Sequence, residues 1–249
     1  ATLLALDKTD GAVKTAGDTV VMATVGKFAS IPQTGHTRDY YTIEHWHSDI
    51  AQSEVYKDCV FTGMNVNVPP NSMATIEFPV MGLNVDTGTS EYFTAPAVES
   101  TGAILSGLAG AVTVDGANIG LITSISINVN GNFSVPGGVI GQNYDPDIYP
   151  GPIDVTGSMT VLFQDAVTRD KFYNESLCSI VCVLVADNSA NPAFVSFVMS
   201  KVKLGGASKD DGAGGLSMTV PFTALENTEG GAAVANRATS ISVQDSAFA

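Results

Sequence analysis

The sequence predicts a mainly β protein, a duplicated antiparallel β-sandwich or barrel with one short flanking helix. Three observations carry that expectation. Apolar and polar residues alternate with period two along most segments, where an amphipathic helix would show 3.6. The same segments are rich in Val, Ile, Thr, Phe and Tyr and are bounded by Gly, Pro, Asn or Asp. The third observation is an internal repeat.

Taken in order, the first strand is Tyr40–Trp46, aromatic and β-branched. Val60–Val68 alternates and stops at Pro69-Pro70, and Ala74–Val80 alternates through Ile76 and Phe78. Ile122–Val129 places Ile and Val between Ser and Asn and ends at Asn130-Gly131, a tight-turn signal. Val155–Phe163 follows the same rule. Ala166–Asn174, with Asp165 placed to cap it, is the expected helix. Ser179–Val185, Phe194–Leu204 and Leu216–Phe222 complete the strands. Regular strands separated by turn residues imply a sandwich or barrel.

The repeat aligns Cys59–Leu83 with Lys201–Leu225 without a gap. Val60 meets Val202, Gly63 meets Gly205, Pro79 meets Pro221 and Leu83 meets Leu225. Upstream, Tyr41–Glu44 resembles Phe194–Phe197, so the first copy carries extra residues around His47–Asp58. The expected division is a first module over residues 1–100 and a second over 101–249. The second copy has a long preamble before its repeated part and the first a short one. With no initiator Met, the first module is expected to be incomplete at its N-terminus.

Composition excludes several function classes. The 249 residues are only 14% charged and 45% hydrophobic, which argues against disorder and a coiled coil. Twenty-five acidic residues against 11 basic ones give a net charge of −14, which repels phosphate polymers. No apolar run is long enough for a membrane-spanning helix, and the start has no basic region of a signal peptide. Cys59, Cys178 and Cys182 read as reduced, buried thiols. Cys178 and Cys182 lie too far apart along one extended strand to bond.

No motif argues for chemistry, so no catalytic residue, metal or cofactor is expected. His45-Trp46-His47 puts two imidazoles on one strand face, a spacing found in some metal sites, with Asp49 and Glu54 nearby. Exposed histidines flanking a buried Trp are the favoured reading. Asp145-Pro146-Asp147 and Ser208–Gly212 lack the 12-residue pattern of a calcium loop and read as turns. The Gly-rich stretches fit no phosphate-binding loop. Loops at His47–Asp58 and Gly206–Gly215 interrupt the two copies at matched places. They suit contact arms between subunits, with ordinary surface loops as the competing reading. A duplicated β-protein without a catalytic set suggests an assembly module.

A resemblance sharpens this. Ile140–Gly151 (IGQNYDPDIYPG), Val155–Asp165 (VTGSMTVLFQD), Val202–Gly212 (VKLGGASKDDG) and Val220–Leu225 (VPFTAL) resemble the tail tube proteins of long, flexible-tailed bacteriophages. Tyr41–Glu44, Asp49–Glu54 and Asp58 join them from the first copy, so the likeness runs from about Thr34 to Ala249. It implies β-sandwich tube modules with a flanking helix, whose rings stack into a hollow shaft. The implied partners are other copies of the chain, a tape-measure protein, and tail terminator and tip proteins. DNA passes only in transit, without specific binding, and no membrane is involved. The implied location is the virion tail, with the host cytoplasm during assembly. Two fused modules would let three chains imitate a six-fold ring. A tube of a bacterial injection system and an immunoglobulin-like adhesin or capsid decoration module are the alternatives.

Within that reading, alternation assigns faces. If Val60, Val202, Ile76, Met218, Phe78 and Val220 face the core, then Asn65, Asn67, Thr75, Glu77, Ser217 and Thr219 lie on the opposite face. Those six are the candidate channel wall, and Lys203 is in phase with them. The competing assignment points this face outward. Candidate subunit contacts are Gly63, Gly205, Asp49, Glu54, Lys209, Asp210 and Asp211.

Overall fold

The alternating segments become strands, and every pairing among the described residues is antiparallel. The computed structural model describes residues 27–31, 34, 39–70, 72–95, 104–105, 107, 110–118, 122–141, 144–162, 176–186, 193–206, 208–210, 217–227 and 240–246. The strands before residue 100 are β1 (Lys27–Ile31), β2 (Tyr41–His47), β3 (Gln52–Phe61), β4 (Gly63–Val68), β5 (Thr75–Glu77), β6 (Val80–Met81) and β7 (Asn84–Gly88). After it come β8 (Ala111–Val114), β9 (Ala117–Asn118), β10 (Ile122–Asn130), β11 (Asp154–Leu162) and β12 (Leu177–Val185). The last are β13 (Phe194–Leu204), β14 (Ser208–Asp210), β15 (Ser217–Ala224) and β16 (Ile241–Asp245). No helix occurs among the described residues; the expected helix at Ala166–Asn174 lies outside them.

The larger sheet runs β5-β4-β10-β11-β15-β13-β12-β8-β9, with β14 on β15, and β16 between β13 and β1. It folds over on itself. Long β13 makes the corner: Val202–Leu204 pair with β15, whereas Val195–Val198 pair with β16. Between these stretches β13 carries an extra residue, since Cys178 pairs with Val202 but Ile180 pairs with Met199. Such a bulge bends the strand and shifts its inward phase, which lets one strand serve both layers. Phe197 and Met199 therefore point inward before it, and Val202 and Leu204 after it.

The core lies between the layers. Ile125, Ile127, Val129, Val155, Met159, Val161, Met218, Val220 and Phe222 meet Cys178, Ile180, Cys182 and Leu184 from the other side. Each of these large side chains contributes about 1.5–3 kcal/mol on burial. All three cysteines are free and buried. Val181, Phe194 and Val198 form a small second cluster on the outer face of β12 and β13.

The second sheet has four strands: β2, β6 and β7 all pair with β3. The stretch His47–Asp58, expected to be a loop, is not one. Its chain reverses at residues 48–51, with Ala51 at φ 49°, and then runs on as β3. Asp58, at φ 53°, marks a bulge: Tyr41 pairs with Cys59, but Ile43 pairs with Tyr56.

The repeated segments pair in the same strand order, one residue out of the aligned register. Val60 pairs with Met81, but Val202 pairs with Ala224 and not with Thr223. β3 pairs with β6 as β13 pairs with β15, and β4 with β5 as β14 with β15. The matched prolines both accept a backbone N–H, Pro79 from Thr62 at 2.9 Å and Pro221 from Gly205 at 2.7 Å. One difference stands out. The returning strand is continuous as β15 in the second copy but broken into β5 and β6 in the first. Val60, Val202, Met218 and Val220 are buried as expected, but Phe78 is 55% exposed and Ile76 39% exposed. Ile76 lies opposite Val66 on the open edge of the sheet, and Phe78 sits where the chain crosses to the other sheet. β4 and β5 also pair into the sheet of β10, so strands from either side of residue 100 share one sheet.

Candidate functional site

Alternation leaves one face of β5-β4-β10-β11-β15 turned away from the core, and the registers lay its residues out in rows. One row runs Glu77, Asn65, Asn128, Thr156, Thr223 and Lys203. The next is Thr75, Asn67, Ser126, Ser158 and Pro221. A third is Ser124, Thr160, Thr219 and Ser208, and Ser217 stands beyond it opposite Leu162. All six candidate wall residues therefore share one face of one sheet. At about 4.8 Å per strand the face is roughly 20 Å wide.

The interior of this face is uncharged and small. Ser126 and Ser158 hydroxyls lie 3.0 Å apart, those of Thr160 and Thr219 3.5 Å apart, and Asn128 Nδ2 donates to Asn65 Oδ1. Cross-strand pairs of this kind stabilise the sheet and occupy polar groups that would otherwise reach outward. Charge appears at the margins, as Glu77, Asp154 and Lys203. Sequence reasoning had placed only β4, β5 and β15 on this face. Ser124, Ser126 and Asn128 on β10 and Thr156, Ser158 and Thr160 on β11 form its middle. The signal was present, because burial of Ile125, Ile127 and Val129 fixes their neighbours outward.

The candidate contact residues scatter. Asp49 is exposed in the turn that ends the β2–β3 arm, and Glu54 pairs across the arm with His45. Lys209 and Asp210 lie on β14, opposite Met218 and Ser217, and Asp211 lies outside the described residues. The close approach at the two glycines is made within the chain. A Cβ on Gly63 would stand 2.4 Å from the Val129 carbonyl oxygen, and one on Gly205 3.0 Å from the Pro221 ring.

The arm is held by polar contacts. Glu44 accepts the Ser53 hydroxyl at 2.6 Å and the backbone N–H groups of Tyr92 at 2.7 Å and Phe93 at 2.8 Å. Those bonds, Ser53 foremost, hold its carboxyl below the ordinary carboxylate value. Lys57 pairs with Asp86 across β3 and β7, and the bond to Asp86 raises the ammonium above its usual value. Tyr41, Phe61 and Phe78 stack edge to face beside a largely apolar cavity of about 600 Å³, also lined by Val60, Met64, Val129 and Phe133. Asp147, read as part of a turn, accepts the Ile148 N–H and the Tyr40 hydroxyl, both at 2.8 Å.

This arrangement is a wide polar sheet face, an aromatic-rich arm and no assembled catalytic set among the described residues. No curated protein matches the chain significantly. The family model described as phage tail tube protein matches residues 3–224, most of the chain. On that match, and with an all-β structure behind it, the chain belongs to the phage tail tube protein family.

Proposed function

We propose that copies of this chain close into rings, that the rings stack into the hollow shaft of a phage tail, and that the polar sheet face lines the bore. The observation that carries this is the face itself. Its interior is Asn, Ser and Thr with Pro221, three cross-strand pairs of it hydrogen-bonded, and Lys203 and Glu77 stand only at the row ends. Duplex DNA carries one charge per roughly 1.7 Å, and basic walls would grip it through counterion release. A neutral wall fringed by Glu77, Asp154 and a single Lys203 offers little such grip, so a genome slides past it. Before ejection the same bore holds a tape-measure protein, and terminator and tip proteins close its ends. Host cytoplasm is where the rings assemble.

Ring closure uses sheet edges. Among the described residues β5 pairs only with β4, and β9 only with β8, so both present an unpaired edge to a neighbouring copy. The similar pairing of the two repeated segments supports a two-module ancestry, and three chains then close a pseudo-six-fold ring. Because β4 and β5 share a sheet with β10, the division near residue 100 is one of descent rather than of separate sheets.

Glu77→Lys with Thr219→Lys tests the wall in assembled tails. Slower genome release from intact tubes is the expected result. Unchanged release, with both lysines on the outer surface, overturns the assignment.

A further inference from the structure

We infer that the tip of the β2–β3 arm is a site for a borderline transition-metal ion such as Zn²⁺, held by His45, His47 and Glu54. The two histidines are two apart on β2 and so share a face, and Glu54 on β3 lies directly opposite His45. One ligand atom from each of the three lies within 4.8 Å of the others. The imidazole rings converge, with centroids 4.0 Å apart. Around zinc, with bonds of about 2.0–2.1 Å, neighbouring donor atoms sit roughly 3.3 Å apart. Small side-chain rotations close that difference without moving the strands.

A second feature points the same way. Tyr56, two residues beyond Glu54, donates its hydroxyl to Glu54 Oε2 at 2.8 Å. An outer hydrogen bond of this kind orients a ligating carboxylate and leaves its other oxygen for the ion. Two imidazoles with one carboxylate suit zinc and its neighbours, whereas calcium and magnesium prefer all-oxygen sites. Three protein donors leave a fourth position open to water or to a donor from another molecule. Bound metal would tie β2 to β3 beside the turn at residues 48–51. This site is independent of whether the polar face lines a bore.

Calorimetric titration of the tag-free full chain with zinc chloride tests it. The expected result is one equivalent per chain, with affinity at least tenfold weaker in His47→Ala and in Glu54→Gln. No uptake by the parent protein, or uptake unchanged in His47→Ala, overturns the site. A cobalt titration of the parent guards against a variant that misfolds. Intense visible bands of a low-coordinate nitrogen–oxygen site are expected; a spectrum like that of aqueous cobalt overturns it.

Discussion

Gly157 shows how tightly single residues are constrained. It faces the core from β11 opposite Phe222, and a Cβ there would stand 2.3 Å from both Phe222 Cζ and the Ser126 carbonyl oxygen. Gly157→Ala is expected to cost about 1–3 kcal/mol through overpacking. An unchanged denaturation midpoint would contradict this. Gly63 makes the same kind of contact with Val129, so Gly63→Val should damage the β4–β10 ladder and hence folding before it affects any ring. Gly205 meets only Pro221, at 3.0 Å or more, and should tolerate Ala with a smaller shift. Cys178 and Cys182 were legible from the sequence, because both fall in one apolar run, whereas Cys59 follows Lys57-Asp58 and is buried by the alternation of β3. Burial pushes the Cys182 thiol up to about 12, and burial likewise raises Cys59, with the Asp58 charge adding to it. The thiolate is the reactive form. Native protein at neutral pH should therefore resist a disulfide reagent at all three positions, and urea should release them; rapid native labelling would contradict the packing.

Glu44 governs an element, since its carboxylate clasps Tyr92 and Phe93 to the arm. Its folded value lies below the ordinary one, so the clasp's contribution is present above the ordinary value and is lost as pH falls through the lowered value. Protection factors at the Tyr92 and Phe93 amides, each taken against the intrinsic exchange rate at that pH, should be high at neutral pH and fall in acid, and Glu44→Gln should abolish that fall. Protection independent of pH in the parent would contradict the clasp. Three long strands were readable: β13 spans the expected Phe194–Leu204, and β10 and β11 fall within a residue or so of expectation. Ten-residue β3 was not, because Lys57-Asp58 interrupts its alternation, and the expected Val60–Val68 is split at Thr62 between β3 and β4. Short strands were not. β14 and β9 offer too few residues for alternation to show, although Asp115-Gly116 is a hairpin signal and does turn β8 into β9, both at positive φ. Alternation also runs on through Pro79, which hid the break between β5 and β6. Asn130-Gly131 is no two-residue hairpin. Gly131 N–H bonds to the Thr62 carbonyl, and Asn132 takes the positive φ.

For the whole molecule, the strongest signals were the repeat and the resemblance, and both rest on patterns that survive in the sequence itself. The polar face was legible in part: its six named residues share it, but its middle strands were overlooked because they lie outside the repeat. How the sheet folds over at β13 was not legible, since a bulge of one residue leaves no compositional mark. Tail tube subunits act by self-assembly, so the decisive properties belong to the ring. Five strands at about 4.8 Å, counting the spacing to the next copy, give each chain roughly 24 Å of wall. Three chains supply a perimeter of about 70 Å, about 22 Å across at the backbone and too narrow for a duplex once side chains fill it, and six supply about 140 Å. Three chains per ring is the expected count, and passage of a duplex then requires further strands of each chain to join the wall. Six chains per ring would refute the count and leave the wall intact. Cryo-electron microscopy of tubes assembled from the purified chain measures all of this at once. The account expects hollow stacked rings with Asn65, Asn128, Thr156 and Thr219 lining the bore; a stable monomer, or tubes with those side chains on the outer surface, would contradict it.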